Sequence, residues 1–134
     1  MDVRPERTGW RDEALSRKHR EWGWDCPAVD LDFILVEYDQ GLPVAVIEYK
    51  HENAKPVSLT HPSYMALAIL GERADLPIFV VRYADDFSWW EVQAINTVAT
   101  AILSTLRRVS ESQYVKFLHW LRGRTWEVDQ TRNN

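Results

Sequence analysis

Val29-Asp30-Leu31-Asp32-Phe33-Ile34-Leu35-Val36-Glu37-Tyr38, then Asp39-Gln40-Gly41-Leu42-Pro43, then Val44-Ala45-Val46-Ile47-Glu48-Tyr49-Lys50: two runs rich in branched and aromatic residues flank a stretch of turn chemistry. Such runs predict strands, and the intervening segment predicts a reversal, so 29–50 reads as an antiparallel hairpin. Pro43 has no amide hydrogen for a ladder and is expected only at the entrance of the second strand. Along that strand side chains alternate, so Glu48 and Lys50 leave one face while Ile47 and Tyr49 leave the other. If the hairpin closes around Gly41, opposed residues have numbers summing to about 82, which puts Asp32 opposite Lys50 and Ile34 opposite Glu48. Asp32 and Glu48 are then diagonal neighbours, roughly 7 Å apart at the backbone.

Working outward, Arg11 to Trp22 lacks Gly and Pro and sets Leu15, His19 and Trp22 on one helical face, with Gly23 as its stop. Beyond the hairpin, Thr60 reads as the cap of a helix that opens at Pro62, runs on from Ser63 to Arg73 and is closed off by Pro77. Ile78 to Tyr83 is a short apolar run suited to a central buried strand, and Trp89 to Ala94 is a further strand after the Asp85-Asp86 turn. Trp89 and Trp90, being adjacent, send their rings to opposite faces, one to the core and one free to stack on an unpaired base or a partner. Asn96 to Arg108 has helical length but many β-branched residues. Ser110 with Gln113 forms a capping box for a last helix that sets Tyr114, Phe117, Leu118 and Leu121 on one face up to Gly123. The order helix, strand, strand, helix, strand, strand, helix predicts an α/β fold, a mixed central sheet flanked by helices, in one domain spanning 1–134.

The 134 residues are 46% hydrophobic and carry seven Trp, a composition of folded globules rather than disordered chains. Cys26 is the only cysteine, which rules out an intramolecular disulfide or a thiolate zinc cluster within one chain and makes a reducing, cytoplasmic setting the default expectation. The charged start and the lack of a run of about 18 apolar residues predict neither a secretory signal nor a membrane span. A net charge of −4 argues against broad duplex binding through a basic surface. Six carboxylates and no Lys or Arg occupy Asp25 to Glu48, however, while Arg107, Arg108, Lys116, Arg122 and Arg124 gather near the C-terminus. A metal site beside a phosphate-binding surface would need that separation, and ordinary solvated faces would give it too.

Two carboxylates side by side near an apolar core repel unless a cation lies between them. Oxygen ligands without cysteine favour a hard ion, magnesium or manganese, which can engage a phosphate oxygen and acidify an attacking water. Lys50 could orient that water or neutralise charge on the phosphoryl oxygens. Asp32 followed by Glu48-Tyr49-Lys50 on the next strand resembles the PD-(D/E)xK nuclease superfamily, most closely its small single-domain members such as Holliday junction resolvases and virus-type replication-repair nucleases. The resemblance covers about Arg11 to Tyr83. It implies a restriction-endonuclease-like αβββαβ core, metal binding by Asp32, Glu48 and the Tyr49 carbonyl, and assistance to the attacking water by Lys50. It also implies a further ligand from the first helix, for which Glu13, His19 and Glu21 are available, and a substrate contact from Tyr64; His51, Glu52 and Lys55 continue from the strand end near the site, where His51 is a candidate substrate contact and a solvated loop would have the same composition. Leu31 stands where the family's proline precedes the aspartate, so Asp30 remains a rival to Asp32.

The expected activity is divalent-metal-dependent hydrolysis of DNA phosphodiester bonds, with selectivity for nucleic-acid structure. A homodimer is a further expectation, since one small domain offers little surface for gripping a duplex, and compactness would suit a phage or other mobile element. Two alternatives stay open: a non-catalytic module that uses the acidic face to engage protein or to mimic nucleic acid, and an assembly protein with exposed Trp. An exposed Glu48–Lys50 ion pair at a sheet edge would give the same sequence.

Overall fold

The chain divides into two compact units, Met1–Asp30 and Leu31–Asn134, of which the computed structural model describes residues 13–22, 29 and 31–132. In the first unit, α1 runs over Glu13–Trp22. An exposed Lys18–Glu21 pair at 3.2 Å spans one of its turns, and His19 meets the Trp22 ring edge-on at 4.8 Å. The expected start at Arg11 and stop at Gly23 lie outside the described residues.

The second unit is α/β. Its described elements are β1 (Phe33–Glu37), a 3-10 turn (Tyr38–Gln40), β2 (Leu42–His51), α2 (Pro62–Ala74), β3 (Ile78–Tyr83), β4 (Trp90–Ala94), α3 (Thr97–Ile102), β5 (Arg107–Val109) and α4 (Glu111–Arg132). The strands form one mixed sheet in the order β1-β2-β3-β4-β5. Only β2 and β3 run parallel, because only they are joined by a helical crossover, α2, long enough to bring the chain back to the same end.

The hairpin departs from its expected register. Phe33 pairs with Ile47 and Ile34 with Val46, whereas Glu37 pairs with Leu42 and Val36 with Pro43, the shift falling between Leu35 and Val36. Two local features cause this. The connection is built on the Tyr38–Gln40 turn and closed by Gly41 at φ 64°, a left-handed conformation that costs glycine little. Val44 is then an extra residue in β2, a bulge that also accommodates Pro43 inside the strand. Extending the pairing one residue past Phe33 brings Asp32 opposite Glu48, not opposite Lys50. The displacement from the expected pairing is an even number of residues, so Asp32 still shares a face with Glu48 and Lys50.

Helix boundaries carry the other differences. Pro62 is the first residue of α2, so the cap is His61, whose Nδ1 accepts from the Ser63 amide at 3.2 Å. The expected cap, Thr60, shares its hydroxyl with Ser58. Within 96–108 a short helix gives way to the edge strand β5. The capping box at α4 is reciprocal, Ser110 N–H to Gln113 Oε1 at 2.9 Å and Gln113 N–H to Ser110 Oγ at 3.2 Å, and α4 continues through Gly123 to Arg132. No helix among the described residues is long and apolar enough to cross a membrane.

Alternation divides the sheet into two faces. Ala45, Ile47, Phe79, Val81 and Val92 meet Ala99 of α3 and Tyr114 and Leu121 of α4 in the larger core. Val46 and Ile78 meet Leu67 of α2 in the smaller one. A buried amide ties the two together where β3 begins. Asn96, 6% exposed, accepts the Ile78 and Ala99 amides at 3.1 and 2.9 Å and donates to the Leu76 carbonyl at 2.8 Å. Gly71 permits this approach, since a Cβ there would run into the side chains of Ile78 and Asn96.

Asn96→Ala removes the α3 cap and leaves buried backbone groups unpaired, so it is expected to destabilise the protein by about 3 kcal/mol. Urea denaturation measures this, and a loss below about 1 kcal/mol would contradict the account.

Candidate functional site

Glu48 and Lys50 emerge beyond the reach of α2's core residue Leu67, on the same face as Val46. The direction of the backbone explains how Asp32 joins them. The Val46 amide donates toward β3, to the Pro77 carbonyl, so amides of alternate residues, Ile47 and Tyr49, point toward β1. At Tyr49 the β1 ladder has already ended. Its amide instead donates to Asp32 Oδ2 at 3.1 Å, and its carbonyl leaves the strand on the same side. The Tyr49 ring points into the opposite face, edge-on to Phe33, Tyr83, Trp90 and Tyr114, with its hydroxyl 2.6 Å from that of Tyr114. Burial pushes both phenols upward, which keeps this anchor neutral. Tyr49 thus pins the backbone between the two charged residues.

Lys50 Nζ lies 3.6 Å from Glu48 Oε1, with the side chains 32% and 13% exposed. Glu48 Oε2 is buried and has no hydrogen-bond partner among the described residues. A partly exposed ion pair contributes about 1 kcal/mol or less, while a buried polar atom left unpaired costs about 1–3 kcal/mol, more when charged. Lys50 alone does not balance Glu48. Accordingly, burial raises the Glu48 carboxyl above its usual 4.5, the neighbouring Asp32 charge adds to the rise, and Lys50 opposes it. An orphaned carboxylate oxygen, a second carboxylate and a carbonyl directed to one side are an oxygen donor set of the kind a hard divalent cation accepts. Among the described residues no group of three or more His, Cys, Asp and Glu side chains gathers. A cation here would therefore keep several waters, as magnesium does.

Tyr64, on the first turn of α2, joins this cluster, its ring centroid 5.9 Å from Lys50 Nζ. His51 does not. It sits an odd step from Lys50, on the Tyr49 face, edge-on to Tyr83, with Nδ1 accepting from the Asn53 amide and Nε2 2.9 Å from Asp85 Oδ1. Glu13 and His19 belong to α1 of the first unit, and Asp30 lies outside the described residues.

The register adds residues that sequence reasoning missed. Val80 stands beside Glu48 and Arg82 beside Lys50, followed by Gln93 and Glu91 and then Arg108. Arg82 interrupts an apolar strand, the one signal that could have singled it out. Its guanidinium donates to the carbonyls of His51, Glu52, Ala54 and Lys55 at 2.7–3.3 Å, and so holds the loop after β2. A cavity of about 270 Å³ adjoins this row. Another, of about 290 Å³, lies on the α4 side between Leu103, Arg107, Gln113 and Lys116 and does not include the acidic pair. No protein-family model, curated protein or solved structure matches the chain.

Because the folded-state pKa of Glu48 is raised, the native protein holds that proton where the unfolded chain has released it, and stability falls as pH rises from about 4.5 through the folded value. In metal-free buffer at pH 7.5, Glu48→Gln is expected to melt above the wild type, with the gap closing as pH falls toward 4.5. A variant less stable than wild type at pH 7.5 would overturn this account of the site.

Proposed function

We propose that the second unit is a divalent-metal-dependent nuclease centre acting on DNA phosphodiester bonds, with Asp32 and Glu48 holding magnesium or manganese and Lys50 assisting the attack of water. The observation that carries this reading is the Glu48 carboxylate, which has a buried, unpartnered oxygen beside Asp32 and Lys50 on one sheet face. When bound, the ion supplies the positive charge that polarises a phosphoryl oxygen and lowers the pKa of water. Asp32 is oriented for ligation by the Tyr49 amide. Glu48 is held by the strand between Val46 and Lys50, and burial together with the neighbouring Asp32 charge opposes its ionisation unless a cation intervenes. Lys50, partly exposed, can donate to the incoming water or to a phosphoryl oxygen and so stabilise charge that grows during attack. Tyr64 shields that ammonium on one side.

Support also comes from chain order. The run β1-β2-α2-β3 matches the ββαβ end of the restriction-endonuclease-like αβββαβ core; the strand that opens that core is not among the described elements. A second reading, a non-catalytic binding module on the same scaffold, is favoured by the presence of only two gathered carboxylates among the described residues.

Cleavage of branched, flap, single-stranded and duplex DNA with and without manganese tests the proposal. Activity is expected only with metal, lost in Asp32→Asn and reduced by about 10²–10³-fold in Lys50→Ala. Calorimetric titration separates the two readings. Manganese binding abolished by Glu48→Ala supports the enzyme, and no binding at millimolar manganese supports the module.

A further inference from the structure

The geometry points to a nucleobase pocket beside the acidic pair, one that takes a single unstacked base from a single-stranded or locally unpaired strand. This rests on the nuclease reading of Asp32, Glu48 and Lys50 and adds to it where the nucleotide next to the reacting phosphate is held. The cavity of about 270 Å³ opens on the same sheet face as Glu48 and Lys50, lined in part by Val57, Val80, Arg82, Glu91, Gln93 and Leu106. Its floor begins at Val80 and Arg82, the register partners of Glu48 and Lys50. Adjacent strands are about 4.8 Å apart, so a phosphate at the acidic pair and a base over β4 are separated by roughly two strand spacings, a gap bridged by the sugar. The volume falls just below the roughly 300–1,000 Å³ of drug-sized sites. That suits one ring system, not an extended ligand.

The lining has the chemistry of a base. Val57, Val80 and Leu106 offer apolar surface to ring faces. The Gln93 amide, which makes no side-chain hydrogen bond among the described residues, offers a donor and an acceptor. Glu91 receives both Arg108 N–H groups on Oε2, at 3.2 and 3.1 Å, which leaves Oε1 to accept. A base presents complementary groups on its Watson–Crick edge, and that edge is free only when the base is unpaired. The pocket is also pre-organised. Arg82 fixes the carbonyls of His51, Glu52, Ala54 and Lys55 on one side, which sets the approach to Pro56 and Val57, and ordering a loop on binding would otherwise weaken affinity. At the rim the Arg108 guanidinium lies 3.8 Å over the Trp89 ring, a flat, weakly hydrated cation suited to a neighbouring phosphate.

The test uses the full chain and a short single strand carrying one 2-aminopurine, with calcium in place of manganese so that binding is read apart from cleavage. Wild type is expected to change the 2-aminopurine emission on binding. Leu106→Trp fills the cavity from a position 55% exposed and is expected to lose affinity by about tenfold or more. Gln93→Leu, which removes the hydrogen-bonding edge without filling space, is expected to act in the same direction and serves if Leu106→Trp does not fold by circular dichroism. An emission unchanged on adding wild-type protein, or unchanged affinity in the folded variant, overturns the pocket. The nuclease reading fails by a different result, Asp32→Asn cutting as fast as wild type in manganese.

Discussion

Which face of the sheet Asp32 reaches depends on one extra residue in β2. Pairing near the turn sets Glu37 against Leu42, and if that register ran on unbroken, Asp32 would oppose Ile47 and project toward α4. The bulge at Val44 advances β2 by one residue, and since strand side chains alternate, one residue is a change of face. Only then does Asp32 come opposite Glu48, close enough for its carboxylate to take the Tyr49 amide. Pro43 belongs to the same arrangement, because a residue without an amide hydrogen is tolerated where the ladder is already interrupted. Deleting Val44 would therefore separate the two acids without removing either.

The site is costly for the fold, and its neighbourhood shows how that cost is contained. Glu48 carries an unpaired buried oxygen, and its nearest cation does not compensate for it. On the other face the strand is held by Tyr49, whose ring lies edge-on to four aromatic rings and whose hydroxyl is paired with Tyr114. Each such aromatic pair adds about 0.5–1.5 kcal/mol beyond its buried area. Four such pairs work together against the cost of one unpaired carboxylate oxygen, and so help β2 keep Glu48 in a poor environment without yielding its position. Strain of this kind at one position, supported by good packing on the reverse, is typical of sites retained for chemistry.

Much of this was legible in the chain. The alternation in Val44–Lys50 placed Glu48 and Lys50 together and Tyr49 opposite, and the Ile78–Val81 run announced the central strand. The pairing register was not legible, because nothing in Tyr38-Asp39-Gln40 signals a 3-10 turn and nothing in Pro43-Val44 signals a bulge; both are choices made by the folded backbone. The same-face conclusion survived because the two errors together made an even displacement. His51 follows Lys50 directly in sequence, yet alternation places it on the other face, beside Tyr83. That Arg82, Gln93 and Arg108 share a row with Glu48 and Lys50 follows only from parallel and antiparallel pairing across strands distant in sequence, which a single chain read linearly does not reveal. Asn96 had a readable cap signal, but its bonds to Ile78 and Leu76 are tertiary.

The parallel pair explains why the charged residues collect where they do. β2 and β3 run in the same direction and end together at His51 and Tyr83, and in open α/β sheets ligands meet the carboxyl ends of such strands because the loops there are free of the crossover helix. α2 packs against the entrance of this pair, through Leu67 on Val46 and Ile78, and reaches the exit through Tyr64 beside Lys50. There, charged side chains remain within reach of water while their backbones stay in the sheet, and Arg82 converts the loop leaving β2 into a fixed wall by occupying its carbonyls.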